Sequence, residues 1–148
     1  MKLLVCVDGS AESNKALDKT VELFSGCRID NVTVMLVFQR VSFPFVESIE
    51  TKEPEIMESF YLMNEELVRQ HEKILEESVA KLQNCGIEPE SIMKEGRPAP
   101  VIAEVADKDN YDLIIIGGRG RSGQKSSSLG SVSNAVIQAT STSVLVVK

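Results

Sequence analysis

Leu113-Ile114-Ile115-Ile116-Gly117-Gly118-Arg119-Gly120 opens the stretch that decides the reading of this 148-residue chain. It continues Arg121-Ser122-Gly123-Gln124-Lys125-Ser126-Ser127-Ser128-Leu129-Gly130-Ser131-Val132-Ser133, and Asn134-Ala135-Val136-Ile137-Gln138-Ala139 follows. The unbroken apolar run predicts a strand buried on both faces. A loop of glycines, hydroxyls and cations comes next, then a helix. A phosphate needs these features: amides with no side chain in the way, hydroxyl donors and a helix N-terminus.

Charge points to the same stretch. The chain carries a formal −6, yet every residue after Asp112 is neutral or basic. Arg119, Arg121, Lys125 and Lys148 supply +4, so residues 1–112 hold −10, the difference between −6 and +4. An acidic body argues against general nucleic-acid binding, which needs a broad basic face. A small basic loop on such a body suits a small anion. Hydrophobic content of 43% and charged content of 26% are those of an ordinary globular protein.

The cysteines, Cys6, Cys27 and Cys85, have no metal-type spacing and cannot all pair. Reduced thiols and a cytoplasmic location are the expectation. Cys6 lies in an apolar run and is expected to pack as a small hydrophobe. The N-terminal apolar run is too short for a signal peptide and meets an acid at Asp8. No run reaches the ~20 apolar residues of a membrane span.

Working outward, strand and helix alternate. Leu3–Val7 predicts a strand, and Ser10 caps a helix whose inner face carries Leu17, Val21 and Phe24. Val32–Phe38 predicts a second strand. Gln39–Pro54 is irregular, either a flexible excursion or a lid or partner-binding surface. Glu55–Gln83 predicts a long amphipathic helix with Phe60, Met63, Leu67, Ile74, Leu75 and Leu82 inward. Its lone histidine, His71, is expected to pack on that helix. Ile87–Lys94 predicts a third strand, Pro98–Lys108 a helix, Ser131–Ala139 a last helix and Ser143–Val147 a fifth strand. One domain over residues 1–148 follows: an α/β, open, parallel five-stranded sheet with helices on both faces. Ligands bind such sheets beyond the carboxyl ends of the strands. Asp8 and the glycine loop both stand there.

Two familiar glycine patterns fail in context. Gly118-Arg119-Gly120-Arg121-Ser122-Gly123 matches the dinucleotide fingerprint, but the acid that would bind ribose is missing after it. Gln124 puts Lys125 out of register for a Walker A loop. The wider spacing Gly117, Gly120, Gly130-Ser131 fits better, and here the chain resembles the ATP-binding branch of the universal stress protein family. The resemblance spans the chain, through Leu3–Ser10, the Gly96-Arg97-Pro98-Ala99 turn, Asp112–Gly117, the glycine motif and the Ser143–Val147 ending.

The resemblance implies a Rossmann-like fold of the adenine nucleotide alpha-hydrolase type. It also implies ATP, with Mg²⁺ or Mn²⁺ on its phosphates. By position, Asp8 would meet the adenine edge with Val7 beside it, Val37 would pack on the base, and Ile116 would line the adenosine pocket. Gly117 and Gly120 would admit ribose and phosphate. Gly130, Ser131 and Val132 would donate to phosphates, with Ser133 a further hydroxyl donor. It implies a cytoplasmic homodimer paired through the C-terminal strand. The chain departs from the family's prolines at Cys6, Ser141 and Ser143. A nucleotide-dependent regulatory module is the reading that the residues favour, since the catalytic equipment of an enzyme is missing. The alternatives are a slow ATPase or phosphotransferase using Lys125 or Arg121, and a scaffold that recruits a protein partner without regard to nucleotide.

Overall fold

A computed structural model describes residues 1–42, 54–119 and 129–148. Five strands, β1 (Lys2–Val7), β2 (Asn31–Phe38), β3 (Glu90–Glu95), β4 (Leu113–Gly117) and β5 (Ser143–Val147), alternate with four helices. These are α1 (Ala11–Gly26), α2 (Pro54–Gln83), α3 (Pro98–Lys108) and α4 (Ser131–Ala139). All the pairings are parallel and the strand order is β3-β2-β1-β4-β5. Crossover helices make that order possible, because parallel neighbours cannot be joined by a tight hairpin. Gln39–Pro54, whose role was left open, lies mostly outside the described residues.

β1 sits at the centre, and the strand order reverses between β1 and β4. Alternate residues of each strand feed two cores. Leu3, Val5, Val7, Val34, Leu36 and Ile115 pack under α1 and α2 with Leu17 and Leu82. Leu4, Cys6, Met35, Ile114 and Ile116 pack on the other face with Ile102, Val105, Ala106 and Val136. Burial of each large aliphatic side chain stabilises the fold by roughly 1.5–3 kcal/mol. This two-sided burial is why the strands read as continuous apolar runs.

Local signals set the helix ends. Ser10 accepts from the Ser13 amide at 3.1 Å and so caps α1. Gly86, at φ 79°, takes the left-handed position after α2, and Ile87 N–H returns to the Leu82 carbonyl at 3.1 Å. That return corrects the sequence reading of the third strand. Ile87 is 1% exposed and belongs to the turn, and β3 starts only at Glu90, after Pro89, which has no N–H to give a ladder. Two expected inward residues also turn out exposed, Phe24 at 38% and Met63 at 44%.

His71 packs as expected, its Nδ1 2.7 Å from the Leu67 carbonyl and its ring against Phe38. Cys6 is buried among aliphatic side chains, and burial pushes its thiol up to about 12. Cys27 and Cys85 are exposed and free. Folded protein at pH 8 should therefore react with an aromatic disulfide reagent at Cys27 and Cys85 alone, and at Cys6 only after denaturation. Fast reaction of Cys6 in the native state would contradict this packing.

The entry to β5 is held by one carboxylate. Asp107 Oδ1 accepts from Thr140 Oγ1 at 2.7 Å, Ser141 N at 3.2 Å, Ser141 Oγ at 3.1 Å and Thr142 Oγ1 at 3.1 Å. The Thr140 hydroxyl does most to hold this carboxyl below its ordinary 3.8. The anion thus ties down a turn that proline would otherwise restrict. A depressed carboxyl stabilises the fold above its unfolded pKa, and that contribution is lost as pH falls through the folded one. Asp107→Asn should accordingly lower the melting temperature at pH 7 and converge with the parent once the pH falls below the carboxyl's lowered pKa. An equal deficit at both pH values would show that the charge is not what matters.

Candidate functional site

The carboxyl ends of β1 and β4 lie side by side where the strand order reverses, with Cys6 level with Ile116. The crevice beyond such a reversal is where this architecture takes ligands. Three segments converge there: the turn after β1, the exit of β4 and the start of α4.

The first segment is a compact turn. Asp8 is half-buried, and its Oδ1 accepts from the Ser10 amide at 2.9 Å. Gly9 stands at φ 80°, and a Cβ there would come within 2.9 Å of Ile74 Cδ1. The turn thus fixes the carboxylate by one oxygen. The other is unengaged among the described residues and can accept from a ligand N–H.

The exit of β4 is set by close approach. A Cβ on Gly117 would lie 2.8 Å from the Glu12 carbonyl carbon, 2.9 Å from Glu12 Cβ and 3.0 Å from its oxygen. The first turn of α1 is seated directly on this glycine. Gly118 then donates to the Val147 carbonyl at 2.7 Å. Its own carbonyl accepts from Gly130 N at 2.6 Å and from Ser133 Oγ at 2.9 Å. Gly118 therefore ties the beginning of the glycine-rich stretch to its end.

The third segment is the start of α4. Its N-cap is Gly130, and among the described residues no side chain caps the helix. The Gly130 amide is committed to Gly118, but those of Ser131, Val132 and Ser133 have no backbone acceptor among the described residues. Ser131 is exposed and Val132 is 37% exposed, so the helix start is open. Uncapped first-turn amides with the positive end of the helix dipole bind anions.

The anticipated residues divide between two faces. Val37 and Ile116 lie on the α3 and α4 face beside Cys6, with Val37 half-buried and Ile116 6% exposed. Val7 is 5% exposed and its side chain enters the opposite core, so only its backbone reaches the crevice. Ser133 is 2% exposed, and its hydroxyl is engaged with the Gly118 and Gly130 carbonyls. Gly120 lies outside the described residues, as do Arg121 and Lys125. Gly118 enters the sequence reading only as the first glycine of the rejected dinucleotide pattern, and its part in tying β4 to α4 depends on contacts with Val147, Gly130 and Ser133.

Among the described residues no group of three His, Cys, Asp or Glu side chains could hold a metal ion. No described helix is long and apolar enough to cross a membrane.

The fold and crevice define a doubly wound parallel α/β protein with an anion-ready helix start at its topological switch point. Comparison with known proteins makes the class specific. The model of the universal stress protein family matches residues 1–148, and the chain belongs to that family. It is similar to universal stress protein YxiE of Bacillus subtilis, with 33% identity over 154 aligned positions covering 99% of this chain and 98% of the relative. Among solved structures it superposes on MJ0577, a universal stress protein of Methanocaldococcus jannaschii, with TM-score 0.78 and 25% identity, covering 99% of this chain and 94% of that one. The same fold recurs in an Arabidopsis thaliana family member solved with AMP bound. There the TM-score is 0.64 and identity 20%, over 100% of this chain and 91% of that one.

Proposed function

We propose that the protein binds an adenine nucleotide, ATP in the first instance, across the carboxyl ends of β1 and β4. The observation that carries this reading is the start of α4 at the sheet's switch point, where the amides of Ser131, Val132 and Ser133 have no backbone acceptor among the described residues. Asp8 accepts from the adenine amino group, Val7 contributes its backbone beside it, and Val37 and Ile116 give the base and ribose an apolar wall. Gly117 and, by the family resemblance, Gly120 leave room for ribose and phosphate. Gly130, Ser131 and Val132 frame the phosphate end, and the Ser133 hydroxyl holds that frame closed. An Mg²⁺ or Mn²⁺ ion travels on the phosphates. The AMP complex of the Arabidopsis relative supports an adenine ligand at this fold.

Occupancy of the site acts through the protein's surface, as a regulatory module rather than a catalyst. β5 is an edge strand whose Val144, Leu145, Val146 and Val147 are only half-buried. Pairing β5 with its copy in a second chain covers this edge and gives a cytoplasmic homodimer. Titration calorimetry of the purified protein with ATP, AMP and adenosine, with and without Mg²⁺, tests the reading. Heats indistinguishable from dilution for all three ligands would defeat it.

A further inference from the structure

α2 is much longer than the sheet that it covers. Its 30 residues span about 45 Å at 1.5 Å per residue, whereas the longest strand has 8 residues, about 26 Å. The residues of α2 that pack on the core begin at Leu67 and continue through Val68, Ile74, Leu75, Val79 and Leu82. Residues 54–66 lie beyond that packed stretch as an overhang, within which Phe60 and Asn64 are half-buried. At 100° per residue, Ile56, Met57, Tyr61 and Met63 lie on the same stripe as those core residues. They are nonetheless exposed at 41%, 49%, 64% and 44%.

The overhang is also strongly charged. Glu55, Glu58, Glu65 and Glu66 lie on the rest of its circumference with Ser59 and the exposed Leu62, and residues 54–66 contain no cation. A helical segment of about three turns is marginal by itself, and its apolar stripe needs a covering surface. Lys and Arg are the side chains that such a rim selects. Self-pairing of this face would set four acids against four. A nucleic acid or an anionic lipid surface would be repelled.

We propose that the overhanging half of α2 is a docking surface for a basic amphipathic segment of another protein. The partner's apolar anchors cover Ile56, Met57, Tyr61 and Met63, while its Lys and Arg residues meet the flanking glutamates. This is a helix-on-helix mode of recognition. Asn64 braces the platform, since its side-chain amide accepts from Val41 N at 2.9 Å and donates to Val41 O at 3.2 Å. Val41 begins the chain's departure from β2, and the nucleotide site stands at the same carboxyl edge of the sheet.

The test uses the full chain and two synthetic amphipathic peptides of about 18 residues, one Leu/Lys and one Leu/Glu with the same apolar pattern. Fluorescence anisotropy should show the Lys peptide binding about tenfold or more tightly than the Glu peptide. Amide shifts should map to residues 54–66. A Met57→Ser/Tyr61→Ser variant keeps every charge and touches only exposed positions. It should lose about tenfold in affinity, while an Ile137→Ser variant, at an exposed apolar position of α4, should keep it. Equal loss in both variants, or none in either, would overturn the proposal, because general acidity would then explain the binding. Sedimentation showing an oligomer that the double variant dissolves would overturn it in favour of a second copy. Failure of the Lys peptide to bind, with the overhang amides protected from exchange, would overturn it in favour of residues 43–53 of the chain itself.

Discussion

Gly117→Ala is expected to destabilise the protein by about 1–3 kcal/mol or more, read as a lower midpoint in urea with the slope unchanged. The added Cβ would sit 2.8 Å from the Glu12 carbonyl carbon. That neighbour is backbone, in the first turn of a helix fixed at its start by Ser10. No rotamer change can relieve the contact, so α1 or β4 must move. The two belong to the same core, through Leu17 and Ile115. A variant with unchanged stability would show that α1 does not rest on β4 in this way. The family resemblance gives Gly117 a place under the nucleotide. Whatever it does there, the packing of α1 already requires glycine. A bulky residue at Gly117 therefore reports on folding before it reports on binding, and the ligand is better probed from α4.

Ser131→Asp provides that probe, because its effects on stability and on binding have opposite signs. An acid in the first turn of α4 interacts favourably with the helix dipole, and no side chain among the described residues caps this helix now. The variant should gain about 0.3–1 kcal/mol in stability. The same carboxylate would face the phosphates of a bound nucleotide. At about 5 Å and an effective dielectric near 20, one pair of like charges costs about 3 kcal/mol. Exposure to solvent reduces this, so affinity for ATP should fall about tenfold to hundredfold. AMP should lose less and adenosine little. If ATP and adenosine weaken alike, or if neither changes, the phosphates do not lie at the start of α4.

The two predictions turn on different kinds of information. The sequence sufficed to place α4: Gly130-Ser131 after a glycine-rich loop marks a helix start without coordinates. It could not reveal the demand on Gly117, because Glu12 is far away in the chain. It could not separate Val7 from Val37 either. Strands buried on both faces have no alternation of polar and apolar residues, so the side of the sheet that each residue takes is invisible until the strands are paired. Ser133 read as one more hydroxyl near a phosphate. Its proton goes to the Gly118 carbonyl because the exit of β4 and the start of α4 meet in space.

α2 shows the same boundary. Its periodicity located the helix and the inward stripe correctly from Leu67 onward. Periodicity says nothing about where the covering layer ends, and the stripe runs on past the sheet into solvent at Met63, Tyr61, Met57 and Ile56. By itself, then, the sequence determined the kinds and order of the elements, the helix caps and the parallel sheet. These depend on residues close together in the chain, through dihedral preference, capping and burial pattern. Only the tertiary structure decided the strand order β3-β2-β1-β4-β5, the seat of α1 on Gly117, the closure of the loop at Gly118 and the overhang of α2. Each of these is a contact between distant segments, fixed by the shapes that meet once the sheet has formed.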